Sequence, residues 1–164
     1  MLTFLGAEKK FTCRTLSEAH TLAQQLAAFC PNPTVAVIGL KELLINAVEH
    51  GCLNISYDEK TKLMESDDNA WEEEVEHRML LPENKNKQVC VCMAFHEEEI
   101  HFVIKDPGRG FDWLPFLQFE SVGPTIKHGR GIALAVQVSF QQVLYRGSGN
   151  EVLAIIRTTP PISD

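Results

Sequence analysis

Residues 89–110 read VCVCMAFHEEEIHFVIKDPGRG, and they give the clearest indication of the architecture. Residues 89–95 and 100–105 are apolar throughout or alternate apolar with polar side chains, and four polar residues at 96–99 separate them. Two such runs with a short polar connection predict an antiparallel strand pair. The next five residues, 106–110, form a glycine-containing turn that leaves the second strand.

Helices are predicted before this strand pair. Thr15 or Ser17 can cap a first helix, in which apolar residues recur at helical spacing up to Cys30. Thr34 is predicted to cap a second helix, which continues to His50 and ends at Gly51 in a left-handed terminal conformation.

Further helices and a second strand pair complete the pattern. Residues 58–64, 71–80 and 132–140 have helical composition or spacing. Strands at 143–146 and 151–158 flank the turn Gly147-Ser148-Gly149-Asn150. The order of elements predicts an α+β fold, a two-layer α/β sandwich whose mostly antiparallel mixed sheet has helices on one face. The length of 164 residues fits a single domain over residues 1–164.

Composition excludes several classes of function. The chain has 15 basic and 22 acidic residues, a net charge of −7, which argues against a nucleic-acid binder. Its apolar runs are shorter than the roughly 18–20 residues of a membrane helix, so no membrane partner is expected. The five cysteines, an odd number, fit a reducing cytoplasm. Cys90 and Cys92 share one strand face, where packing is the expected role and half of a metal site the alternative.

The second helix carries a polar stripe on the side opposite its apolar residues. At about 100° per residue, Glu42, Asn46, Glu49 and His50 fall on this stripe. An Asn oxygen is a ligand that suits Mg²⁺, and a Glu one turn earlier can take a proton from a hydroxyl group. A solvated helix face is the alternative interpretation.

Two glycine loops complete the set of candidate binding residues. The Asp106 carboxylate, at the end of a strand, can accept a hydrogen bond from an exocyclic amine such as that of adenine. Gly129 and Gly131 begin a predicted helix, where free N–H groups favour phosphate and Arg130 adds positive charge. Each loop, taken alone, is also a common turn.

Together these three motifs resemble, in order, the N box and the first and second glycine boxes of the GHKL ATPase superfamily. Over residues 34–157 the chain is most similar to the small anti-sigma-factor serine/threonine kinases, and Gly149-Asn150-Glu151-Val152 supports this likeness. The resemblance implies the Bergerat ATPase fold, with ATP and Mg²⁺ as cofactors.

The resemblance also implies a role for each motif residue. Glu42 becomes the general base and Asn46 the Mg²⁺ ligand. Asp106 becomes the partner of the adenine amino group, in a pocket shaped by Gly108 and Gly110. In the second glycine box, the phosphates are cradled by Gly129 and Gly131, with Arg130 as an added contact, and residues 111–128 form the ATP lid.

The implied function is an ATP–Mg²⁺-dependent protein serine/threonine kinase of the bacterial cytoplasm. Its substrate would be a small STAS-like antagonist protein, and a sigma factor would be the competing partner in a partner-switching system. An ATP-gated protein-binding module without significant turnover is the alternative. Relatives often pair, and Leu2, Phe4 and Phe11 are candidates for a homodimer interface.

An acidic helical insertion at about residues 55–87 departs from a minimal kinase of this type. Residues 58–85 contain ten acidic and four basic residues, a charge of −6. The insertion, including Trp71, resembles that of ATPase domains found with response regulators and metal-dependent serine/threonine phosphatases. We expect an exposed Trp71 in a separable partner-docking surface, and a solvated helical cap is the alternative.

Overall fold

The computed structural model describes residues 8–114, 132–133 and 135–159, and within them the chain forms one five-stranded sheet. The strands are β1 (Lys9–Cys13), β2 (Val89–Phe95), β3 (Glu99–Lys105), β4 (Gln142–Arg146) and β5 (Glu151–Arg157). They lie in the order β1-β2-β3-β5-β4. Every neighbouring pair is antiparallel, which confirms the α+β class and the predicted pairing of β2 with β3. The expectation of a mixed sheet is wrong for the described strands.

One face of the sheet forms the core. Register places Val91 beside Ile104 and Met93 beside Phe102, so the alternate residues of neighbouring strands share this face. Because successive side chains on a strand point to opposite faces, one apolar layer results. It is buried together with apolar residues of the first two helices: Leu22, Leu26, Leu40, Leu43 and Leu44. The arrangement is compatible with a two-layer α/β sandwich.

Helix α1 (Leu16–Ala27) and helix α2 (Pro33–Asn46) have different N-terminal caps. Thr15 caps α1 in a reciprocal capping box with Glu18, as one of the two predicted alternatives. Asn32 rather than Thr34 caps α2, so the predicted start is wrong by two residues. The reason is local, because Pro33 fits the first helical position and the Asn32 side chain accepts a hydrogen bond from the Val35 N–H.

Helix α2 does not end at Gly51 as predicted. Its last turns widen into a π-helical segment, Ala47–Cys52. The residue with positive φ near this end of the helix is Asn54, at 54°, and it follows the last helical residue. Gly51 instead lies inside the π-helical segment. Segments of this kind often occur at functional sites.

The insertion contains helix α3 (Tyr57–Ser66), helix α4 (Ala70–Leu80) and a 3-10 turn, Pro82–Asn84. Both predicted helices are confirmed within two residues at each end. The predicted exposure of Trp71 is wrong. Its side chain packs against the core, its indole Nε1 is buried, and the Lys60 ammonium lies 5.3 Å from its ring centroid.

A second π-helical segment, Ala135–Ser139, packs on α2 within the predicted helix at 132–140. The Ser139 hydroxyl accepts a hydrogen bond from the Gly39 N–H at 2.8 Å and donates to the Val35 carbonyl at 2.7 Å. The hydroxyl therefore bridges an N–H and a carbonyl four residues apart on α2, which Gly39 permits because it has no side chain. This contact fixes the described end of the segment beside α2.

The described helices include no membrane-spanning candidate: none is long and apolar enough to cross a bilayer.

Candidate functional site

A cavity lies where the end of α2, the loop after β3 and the β4–β5 turn meet. It is concave and partly open to solvent. Three of the predicted site residues line it: Asn46, Asp106 and Gly110. These residues are up to 64 positions apart in the sequence, and the fold brings them to one concave surface.

Asp106 stands at the exit of β3 and is held by backbone contacts. Its Oδ1 accepts a hydrogen bond from the Gly108 N–H at 2.8 Å. Its own N–H donates to the Asn150 carbonyl at 2.9 Å, and the Asn150 side chain donates to the Asp106 carbonyl at 3.3 Å. Burial raises the pKa of Asp106 to about 6. The carboxyl group is therefore fixed in position and poorly hydrated, as suits a residue that pairs with a ligand.

Two glycines make room for this carboxyl group. A Cβ placed on Gly51 would overlap the Asp106 side chain. A Cβ on Gly108 would lie 2.8 Å from both Asp106 Oδ1 and the Cα of Gly51. The backbones of the π-helical segment and of the loop after β3 therefore approach each other closely, and the Asp106 side chain packs beside both glycines.

The loop after β3 is tied to the β4–β5 turn by two further glycines. Gly110 has a φ of 81°, and a Cβ there would overlap the Ser148 carbonyl. Gly149 has a φ of 100°, and a Cβ there would approach the Phe111 carbonyl to 2.5 Å. Both positions combine a left-handed backbone with a close approach, so glycine is required at each.

The two candidate residues of α2 differ in position. Asn46, the last residue of α2, lines the cavity with a half-buried side chain. Glu42 is half-buried and is not among the described residues that line the cavity. Burial is the main cause of the raised pKa of both Tyr57 and Glu49, and the negative charge of Glu42 adds to it at both side chains. The structure thus places Asn46 at the cavity and Glu42 near it.

The polar stripe is not a solvated face at its C-terminal end. Glu49 has no exposed surface, and its Oε2 accepts a hydrogen bond from the Lys60 ammonium at 2.7 Å. Burial nevertheless raises the pKa of Glu49 above its usual range. His50 lines the cavity, and because a carbonyl only accepts hydrogen bonds, its Nδ1 donates to Ile55. Burial lowers the pKa of His50 to about 4, so the ring is neutral at pH 7.

Aromatic rings that belong to none of the sequence motifs form much of the remaining wall. Tyr57, Phe111 and Tyr145 all line the cavity. The Tyr57 ring stacks on the His50 ring at 3.9 Å between centroids, and Phe111 meets Tyr145 edge-on at 5.2 Å. Tyr145 alternates with exposed neighbours on β4, and this alternation in the sequence could have indicated its burial. Nothing near Tyr57 in the sequence connects that residue with Asp106.

The second glycine box, Gly129, Arg130 and Gly131, lies outside the described residues, as does most of the predicted lid at 111–128. Within residues 8–114, 132–133 and 135–159, no group of three or more His, Cys, Asp or Glu side chains is arranged to hold a metal ion. Magnesium bound by one amide oxygen and ligand phosphates would not require such a group.

The chain matches no protein-family model, and no curated protein matches it.

Proposed function

We propose that this chain is an ATP-binding domain with the Bergerat fold and that it transfers the γ-phosphoryl group to a serine or threonine of a protein. One observation carries the proposal: Asn46, Asp106 and Gly110, which come from two of the three motifs, line one cavity. The third motif, the second glycine box, lies outside the described residues. The cytoplasmic location and the STAS-like antagonist substrate are proposed from the resemblance alone.

The described residues fit a nucleotide in two respects. Asp106 Oδ1 is occupied by the Gly108 N–H, while no described side chain or backbone group donates to Oδ2, which leaves that oxygen for an exocyclic amine. The glycines around Asp106 leave no room for additional side chains and fix its orientation. Asn46 would hold Mg²⁺, which neutralises phosphate charge when it is bound.

Calorimetric titration with ATP, with and without Mg²⁺, tests the binding step. We expect the parent chain to bind ATP, Asn46→Ala to remove the dependence on Mg²⁺, and Asp106→Asn to weaken binding and its preference for ATP over GTP. Gln25→Ala, at an exposed position on α1, serves as the control and keeps the parent affinity. A parent chain that binds no ATP at millimolar concentration would contradict the proposal.

An ATP-gated binding module without significant turnover is the second candidate. It is favoured by the position of Glu42, which is not among the described residues lining the cavity. Glu42→Ala separates the two candidates when ATP binding and transfer of the γ-phosphoryl group to protein serine or threonine are measured together. Loss of phosphoryl transfer with unchanged ATP affinity supports the kinase. No phosphoryl transfer by either protein, with unchanged ATP affinity, supports the binding module.

A further inference from the structure

The inserted helices contribute a residue to the cavity itself. Tyr57, the first residue of α3, lines the cavity and stacks on His50, with ring centroids 3.9 Å apart and an interplanar angle of 29°. His50 belongs to the π-helical segment, so the stack joins the insertion to the end of α2. A separable docking module would not supply part of the cavity wall.

Aromatic faces from three parts of the chain surround this position. The Phe111 centroid is 6.0 Å from that of Tyr57 and 5.2 Å from that of Tyr145. Phe111 follows the loop after β3, and Tyr145 lies on β4, next to the turn into β5. A wall of this composition suits a flat aromatic ligand, because nucleobases stack on aromatic side chains through their π-faces.

Charged contacts hold α3 against the π-helical segment and α4 against the residues that follow it. Lys60, one turn after Tyr57, donates to the fully buried carboxylate of Glu49 at 2.7 Å. From α4, the Arg78 guanidinium donates to the Leu53 carbonyl at 3.2 Å, to the Asn54 carbonyl at 2.9 Å and to Glu59 at 2.8 Å. These contacts restrict how far Tyr57 can move away from the cavity.

We propose that Tyr57 is a base-stacking residue of the nucleotide pocket and that the Glu49–Lys60 pair positions it. The inference rests on the proposed function, since it assigns the base-binding surface of the same cavity. Asp106 reads the edge of the base through a hydrogen bond, and Tyr57 supplies a face for it. The insertion is then a part of the nucleotide site, and anything that binds α3 or α4 acts on nucleotide affinity.

ATP affinities of four proteins test this inference: the parent, Tyr57→Phe, Tyr57→Leu and, as a control, Phe29→Ala. Phe29 is a partly exposed aromatic residue that meets Phe95 edge-on on another part of the molecule. Loss of one base–aromatic stack lowers affinity by roughly 5- to 150-fold, so Tyr57→Leu is expected to fall in that range. Tyr57→Phe retains the ring and should bind within about threefold of the parent, since its π-face is kept.

Unfolding temperatures of the same proteins separate stacking from a structural role. We expect the affinity of Tyr57→Leu to fall while its unfolding temperature stays close to that of Phe29→Ala. Equal affinities for the parent and Tyr57→Leu, or a loss of affinity that only follows a loss of stability, would overturn the inference and leave the ATP site intact. If the Leu variant does not fold, Tyr57→Met replaces it. No binding by the parent would overturn the proposed function and the inference together.

Discussion

Two walls of the same cavity are built in different ways. Around Asp106, backbone meets backbone: Gly51, Gly108 and Gly110 each approach a neighbouring segment so closely that a Cβ would overlap it. The inserted helices are attached through side chains. Helix α3 has no buried residue and α4 has only Val75, so charged and aromatic contacts carry the attachment. We infer that the first wall is rigid and that the second is adjustable.

The largest effect is expected where the rigid wall is overfilled. Gly110→Ala requires a left-handed backbone at an alanine and places a Cβ against the Ser148 carbonyl. Strain and overpacking each cost about 1–3 kcal/mol, so we expect a loss of about 4 kcal/mol in the free energy of unfolding. Chemical denaturation measures it.

Gly147→Ala is the matched control for this substitution. Gly147 also has positive φ, 60°, but the nearest atom to a Cβ there is 3.5 Å away. It should lose only the conformational part, about 1 kcal/mol. Equal losses in the two variants would show that the wall around Asp106 yields as readily as an open turn.

The next largest effect is expected at the attachment of the insertion. Lys60→Met leaves the Glu49 carboxylate buried without its partner, which costs about 3 kcal/mol in the free energy of unfolding. The double variant Glu49→Leu with Lys60→Met removes both charges and should recover most of that loss. Urea denaturation of the three proteins at pH 7 gives the comparison. A single variant as stable as the parent would mean that this ion pair does not hold the insertion.

The Asp106 carboxyl group links the rigid wall to pH. Its pKa is raised from 3.8 to about 6 by burial, so the folded chain binds the proton more tightly than the unfolded chain does. Stability from this group is therefore highest below pH 4 and declines as the pH rises through about 6. After discounting for partial solvent exposure, ionisation costs on the order of 2 kcal/mol at pH 7.

Asp106→Asn isolates this effect. The amide oxygen can keep the hydrogen bond from the Gly108 N–H, and the amide has no charge to bury. We expect the variant to be more stable than the parent at pH 7 and the difference to vanish near pH 4, while ATP affinity falls. Thermal unfolding at several pH values measures the first two. A variant less stable than the parent at pH 7 would show that the ionised carboxylate stabilises the fold.

The sequence was informative where chemistry is local. Alternation along β2 and β3, the helix cap at Thr15, which is one of two predicted alternatives, and the turn at 147–150 are all set by near neighbours, and the structure contains these elements. The boundaries of α2 were mispredicted because competing local signals overlap: Asn32 and Thr34 are both cap residues, and Gly51 is a common terminator. The glycine at position 51 is explained by Asp106, 55 residues later, because the Asp106 side chain occupies the space that a Cβ on residue 51 would fill.

The sequence predicts part of the candidate site. The motif residues Asn46, Asp106 and Gly110 line the cavity, and so does His50 of the polar stripe. Glu49 is predicted on the polar stripe of α2, whereas the contributions of Tyr57 and Lys60 are not predicted, because they result from the way the insertion folds back on α2. Composition indicates a partner-docking surface there, with a solvated helical cap as the alternative. Contacts between distant segments depend on packing, which a single sequence pattern does not encode.

The smallest effect gives the sharpest test of the comparison between the two walls. Ser56 caps α3 in a capping box with Glu59, and Thr15 caps α1 in the same arrangement with Glu18. Ser56→Ala and Thr15→Ala should each cost about 1 kcal/mol in the free energy of unfolding, since each removes one side-chain acceptor from a helix N-terminus. Only Ser56→Ala loosens the helix that begins with Tyr57, so only this variant should weaken ATP binding, by about two- to fivefold at that cost in stability. Calorimetry measures the ATP affinity of the two variants, and denaturation measures their free energies of unfolding. Equal affinities would mean that the inserted helices move without affecting the cavity, and the contrast between a rigid and an adjustable wall would then have no consequence for the ligand.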